Sequence, residues 1–116
     1  MIPLKPEHCA AAYDFLRAFP PFDKWRMPPV EAVVFRVRCL PERAYGEYIA
    51  ENGVHIITLS SLVISQPSTL LRTLAHEMIH LKQNVDGEET KAEHNASFKR
   101  HAARVSRLHG YDPREF

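Results

Sequence analysis

The sequence of 116 residues contains only two cysteines, Cys9 and Cys39, and this shortage restricts both its chemistry and its compartment. A zinc ribbon built on cysteines takes four ligands, so we do not expect one in this chain. Two cysteines are compatible with a reducing compartment, and we do not expect them to pair. We therefore predict a cytoplasmic protein without a zinc ribbon.

Long apolar runs are missing as well, although a membrane-spanning helix needs about 18 or more consecutive apolar residues. We do not expect the opening MIPLKPEHC to be a signal peptide. The net charge of +1 argues neither for nor against nucleic acid as a partner. The length and the ordinary composition, 45% hydrophobic and 25% charged, predict one globular domain over residues 1–116 with no membrane partner.

The first part of the chain predicts a helix and then an irregular segment. Pro6 suits a first helical turn, and the following residues have helical spacing, which predicts a helix over about 6–18. Residues 20–29 contain four prolines and cannot form a regular element. The presence of Phe22 and Trp25 in this segment indicates that it packs against the body of the protein.

Three segments with strand character follow, at about 33–38, 45–50 and 54–59. In the first, an apolar face alternates with a wetter face, the second also has a period of two, and the third is mostly β-branched. Asn52-Gly53 between the second and third segments is typical of a two-residue hairpin, because both residues tolerate positive φ. We therefore predict a three-stranded, mainly antiparallel sheet arranged as a meander.

Two helices are expected to complete an α+β fold. The first begins near Pro67, runs for about 15 residues and closes near Gly87. A polar loop leads to the last helix, NASFKRHAARVSRLHG, which Gly110 should terminate.

The first of these helices contains an HExxH motif at His76-Glu77-Met78-Ile79-His80. The two histidines differ by about 40° around the helix, so both can bind one metal ion. Glu77 lies about 60–100° further round, which keeps it off the metal but within reach of a water molecule there. The predicted core stripe lies on the other side and consists of Leu71, Leu74, Met78 and Leu81. The alternative is an ordinary helix with two exposed histidines.

A catalytic zinc site needs a third protein ligand. His94 is the preferred candidate, because it shares a face of the last helix with Phe98 and Val105, and burial of that face would bring it towards the motif. Its alternative role is a helix-start residue bonded to backbone. Asp86 is the second choice, and His101 is expected to be a satisfied core histidine or an outer hydrogen-bond partner. The other downstream candidates are Glu88, Glu89, Glu93 and His109.

The combination of HEMIH and EHNASFKRHA, preceded by AYGEYIAENGVHIITLSSLVI, resembles the SprT-like zinc metalloproteases. This family includes the Spartan proteins, which digest DNA–protein crosslinks. Its HExxH helix is followed by a His-Gly-x-x-Phe segment, whose histidine and phenylalanine His94 and Phe98 match. Asn95 replaces the glycine. The likeness covers about residues 30–109 and implies a minimal zincin-like domain.

For the site, the resemblance implies Zn²⁺ held by His76, His80 and His94, with Glu77 as the general base of a peptidase. It also implies that an extended protein or peptide substrate pairs with an edge strand of the sheet, and we expect the strand at 54–59 to be that edge. The DNA-binding extensions of larger family members are not expected here, which leaves DNA targeting open.

A zinc-stabilised nucleic-acid-binding or regulatory module without turnover is the alternative. Arg100, Arg104 and Arg107 share one face of the last helix, and such a stripe could contact phosphates, although a solvated helix face explains it equally well. The intact Glu77 favours the enzyme, because a purely structural metal site has no use for that carboxylate.

Overall fold

A computed structural model describes residues 3–62 and 66–116. Its three α-helices are α1 (Pro6–Arg17), α2 (Pro67–Asp86) and α3 (Ala96–His109), and its three strands are β1 (Val33–Arg38), β2 (Gly46–Glu51) and β3 (Val54–Ser60). The predicted α+β class is therefore confirmed. Residues 1–2 and 63–65, the latter just before the predicted start of the HExxH helix near Pro67, lie outside the described residues.

The helices begin and end where local chemistry requires it. Pro6 and Pro67 occupy first-turn positions of α1 and α2, where a missing N–H costs nothing. Gly87 and Gly110 follow α2 and α3 with φ of 71° and 76°, a left-handed conformation that glycine adopts without strain. At 20 residues, α2 is longer than the predicted 15.

The sheet is mixed, so the predicted meander is wrong. β3 lies in the centre, paired in parallel with β1 and antiparallel with β2. The hairpin prediction is confirmed, because Asn52 and Gly53 join β2 to β3 with φ of 53° and 78°. The seven residues after β1 cross the end of β3 and place β2 on its far side, so β1 and β2 are never neighbours.

The central position of β3 also overturns its expected role as the substrate-binding edge. All residues from Ile56 to Ser60 are buried, because β3 is covered on both faces and paired on both sides. In the described part of the chain, β1 and β2 each pair with β3 alone. The strand edge that borders α2 is therefore that of β2, whose first residue, Gly46, lies against Thr73 and Glu77.

The proline-rich segment 20–29 packs onto the body of the protein. Phe22 and Met27 are buried in the core, and Trp25 packs edge-on against Phe22 with 5.1 Å between ring centroids. The hydroxyl of Tyr13 on α1 donates a 2.6 Å hydrogen bond to the carbonyl oxygen of Pro28. These contacts join the segment to α1.

The expected core stripe of α2 is buried through Leu74, Met78 and Leu81, and Ala75 and Ile79 are buried with them. The helix is thus covered over a wider arc than one stripe, and the histidines of the motif are half-buried rather than exposed.

Within the described residues, none of the helices is both long enough and apolar enough to cross a membrane. Cys9 and Cys39 are free thiols. The cytoplasmic location stays a prediction.

Candidate metal centre

The helix α2 places the two histidines of the motif side by side. His76 and His80 are separated by one helical turn, and their ring centroids lie 5.2 Å apart. Both rings reach the cleft between α2 and β2. This is the arrangement that the sequence spacing predicted.

His94 meets this pair from the loop that precedes α3. It stands one residue before Asn95, which caps the helix, and its ring centroid lies 5.0 Å from that of His76 and 5.3 Å from that of His80. One ring nitrogen from each of the three histidines lies within 4.8 Å of the others. Together they could hold a metal ion. His94 itself is exposed, so it does not belong to the buried helix face on which the sequence placed it.

The apolar ring of Phe98 packs against all three imidazoles. Its ring centroid lies 4.9 Å from that of His76, 4.5 Å from that of His80 and 4.4 Å from that of His94. The residue is only 3% exposed. A single buried ring therefore contacts all three histidines and restricts where each can lie.

Burial favours the neutral form of His76 and His80. Burial, together with the nearby His76 and His94, lowers the pKa of His80 from 6.5 to about 4. Burial also lowers the pKa of His76, against the opposing effect of its hydrogen bond to Phe116. Neutral imidazole is the form that binds a metal ion.

Phe116 orients His76. Its Nδ1 lies 2.9 Å from the carbonyl oxygen of Phe116, so Nδ1–H donates and Nε2 remains free to bind a metal. Phe116 is held by stacking on Tyr111 at 5.4 Å between centroids, and Arg72 forms an ion pair with Glu115 at 3.4 Å. No pattern in the sequence predicted this contact.

Glu77 lies beside the histidines and is only 5% exposed. Burial, reinforced by the carboxylates of Glu47 and Glu93, raises the pKa of Glu77 from 4.5 to about 8. A cation bound by the histidines would favour the ionised carboxylate again. The carboxyl group is thus buried next to a site that suits positive charge.

Two adjoining cavities, of about 380 and 510 Å³, meet at Gly46, His76 and Glu77. The smaller lies between β2 and the loop before α3, and its charged lining includes Glu47, Glu89 and Glu93. The larger extends towards Tyr45, Arg72 and Phe116. The three histidines and Glu77 therefore lie in an accessible cleft rather than in a sealed core.

The other candidate ligands have different partners. Asp86 pairs with Lys82, Glu89 accepts a hydrogen bond from Asn84, and His109 bonds to the carbonyl oxygen of Pro20. His101 contacts Glu88 at 3.1 Å and packs against Trp25. In residues 3–62 and 66–116, His76, His80 and His94 form the one group of metal-binding side chains close enough to share an ion.

The donor set fits zinc better than the harder cations. Calcium and magnesium prefer oxygen ligands, whereas three imidazoles with one open position are typical of catalytic zinc. The hydrogen bond of His76 fixes the tautomer that such a site requires.

The fold and the site together define an α+β protein in which three histidines that could hold a metal ion lie beside a buried glutamate. The sequence model of the SprT-like family matches residues 19–115, and the chain belongs to this family. A search among curated proteins finds no match. The resemblance seen in the sequence is thus confirmed over nearly the whole chain.

The close approach of β2 to α2 leads to a testable consequence. A Cβ atom at Gly46 would lie 3.0 Å from both Oε2 of Glu77 and Cγ2 of Thr73. We expect Gly46→Ala to lower the free energy of unfolding by about 1–3 kcal/mol in urea titrations, because the added methyl group overpacks this contact. Combining it with Thr73→Ser, which removes Cγ2, should cost less than the sum of the two single losses. Additive losses, within about 0.5 kcal/mol, would contradict the predicted clash.

Proposed function

We propose that the protein is a zinc-dependent metallopeptidase that hydrolyses peptide bonds in extended protein segments. The observation that carries this proposal is the convergence of three histidines in an accessible cleft with the carboxyl group of Glu77 beside them. Membership of the SprT-like family supports it.

In this proposal each residue has a separate task. His76, His80 and His94 hold the zinc ion. When bound, Zn²⁺ acts as a Lewis acid that polarises a carbonyl group and makes water more acidic. Glu77 accepts the proton of the attacking water and delivers it to the leaving amine. Glu77 is only 5% exposed, which limits competing solvent around this proton transfer.

The edge of β2 is the proposed place for the substrate backbone. β2 pairs with β3 on one side, and Gly46, Glu47 and Tyr48 line the cleft beside the histidines. An extended peptide can add to such an edge through its backbone N–H and C=O groups. β2 thus replaces the strand that the sequence favoured.

The charge of the cleft supports a cationic substrate. Besides Glu77, the smaller cavity is lined by Glu47, Glu89 and Glu93, and no described lysine or arginine lines it. Complementary charge favours encounter with basic segments. DNA-associated proteins carry many such segments, so we propose them as the substrate class.

A Glu77→Gln variant should lose hydrolysis by about 10²- to 10⁴-fold while keeping one zinc per chain, because the amide cannot accept the proton. The assay compares a lysine-rich unstructured peptide with a glutamate-rich counterpart, with and without single-stranded DNA. Undiminished cleavage, or loss of zinc from the variant, would contradict the role of Glu77. A wild-type protein that binds zinc but cleaves neither peptide would instead support a module without turnover.

A His94→Ala variant should weaken zinc binding by more than about 100-fold, which exceeds the usual cost of changing an outer hydrogen-bond partner. Competition with a chromophoric chelator gives the affinity. Asp86→Ala serves as the matched control, because Asp86 pairs with Lys82 outside the three-histidine group. If Asp86→Ala abolished binding and His94→Ala did not, the third ligand would be assigned wrongly.

Binding of nucleic acid is a second candidate function. Arg100, Arg104 and Arg107 are all exposed on α3, and none of them forms an ion pair in the described part of the chain. A stripe of unpaired guanidinium groups suits a row of phosphates. It lies outside both cavities of the cleft, so it does not compete with hydrolysis.

Replacing these three arginines with glutamine should weaken binding to single-stranded DNA and make it less sensitive to salt. We expect the slope of log K against log [salt] to become shallower by about 2, given about 0.7 per lost phosphate contact. Replacement of Arg26, Arg38 and Arg43 removes the same charge outside α3 and should have a smaller effect. No retention of the wild-type protein on DNA at low salt would exclude this function.

A further inference from the structure

His94 is the most exposed of the three histidines, and it belongs to the loop that joins α2 to α3. No hydrogen bond of its imidazole occurs in the described part of the chain, whereas His76 is oriented by Phe116. The position of His94 must therefore be set by its neighbours. The next residue, Asn95, is the one that departs from the family pattern.

The side-chain amide of Asn95 uses all of its hydrogen-bonding capacity within the protein. Its Oδ1 accepts from Phe98 N at 3.0 Å and from Nε2 of Gln83 at 2.8 Å. Its Nδ2 donates to the carbonyl oxygen of Glu88 at 3.0 Å and to Oγ1 of Thr90 at 3.2 Å. An amide has two donor and two acceptor positions, and all four are occupied. Asn95 thus connects the start of the loop, α2 and the first turn of α3.

Gln83 is the buried partner of Asn95 on α2. It lies on α2 three residues after His80 and is only 1% exposed. Its Nε2 donates to Oδ1 of Asn95 and, at 2.6 Å, to Oγ of Ser97. Both amide hydrogens are engaged, so Gln83 has no donor left for a substrate although it borders the cleft.

The backbone adds a further connection at the same place. The N–H of Glu88 donates to the carbonyl oxygen of Gln83 at 2.8 Å, and Oε1 of Glu88 accepts from Ser97 at 3.2 Å and contacts His101 at 3.1 Å. The helix that carries His76 and His80 therefore also holds both ends of the loop that carries His94.

We infer that Gln83 and Asn95 are positioning residues that set His94 at the distance from His76 and His80 needed for a shared metal ion. This inference rests on the proposed zinc site and adds the device that assembles it. Without this amide pair, His94 would sample positions in which it cannot bind together with the other two histidines, and metal affinity would fall.

The test measures zinc affinity by chelator competition and the visible spectrum of the Co²⁺-substituted protein. Gln83→Met keeps the approximate size of the side chain and removes the donors, and Asn95→Gly removes the amide at a helix start where glycine is tolerated. Both variants should bind zinc at least about tenfold more weakly and show altered Co²⁺ band intensities. Asn84→Ala is the matched control, because Asn84 bonds to Glu89 rather than to Asn95, and it should stay within about twofold of wild type.

A purely structural role would lower the stability of the metal-free protein without changing the Co²⁺ spectrum. Zinc affinity within about twofold of wild type, with an unchanged spectrum, would overturn the inference; if Gln83→Met does not fold, Asn95→Gly decides alone. A wild-type protein without zinc affinity would overturn both this inference and the proposed function. Wild-type binding with unaffected variants would overturn only the positioning role.

Discussion

The contact between Phe98 and the three imidazoles is the interaction on which the rest of the site depends. The phenylalanine belongs to α3, whereas two of the histidines belong to α2, so packing of one helix on the other also assembles the histidine cluster. Burial in this cluster also lowers the pKa values of His76 and His80. Burial of this cluster thus serves stability, geometry and protonation state together.

The parts of the site that sequence reasoning found are those set by short-range geometry. His76 and His80 are one turn apart on a single helix, and that spacing determines their relation whatever the rest of the chain does. His94 was found because Phe98 and Val105 mark the face of α3 that turns inward, and both are buried. The sequence did not predict that His94 is exposed. α3 begins only after Asn95, so His94 precedes the helix and does not lie on its buried face.

The sheet shows where local patterns stop being informative. Asn52-Gly53 encodes the hairpin between β2 and β3 locally, but this turn does not determine on which side of the hairpin β1 is placed. One signal was present. The third strand reads Ile56, Ile57, Thr58, Leu59 without alternation, which is typical of a strand covered on both faces and therefore central. The contact of His76 with Phe116 left no such signal, because a backbone carbonyl forty positions away has no sequence signature.

The position of Gly46 against Glu77 has a consequence for how the proposed enzyme would read a substrate. Gly46 at the start of β2 lies directly against Glu77, so a peptide that paired with β2 would be held in a fixed relation to the proposed general base. Side chains of a paired strand alternate between two faces, and a slip by one residue inverts all of them. In such a pairing, alternate side chains of the peptide would face the cleft and the others would point away from it, so the proposed enzyme would read every second residue around the cleaved bond.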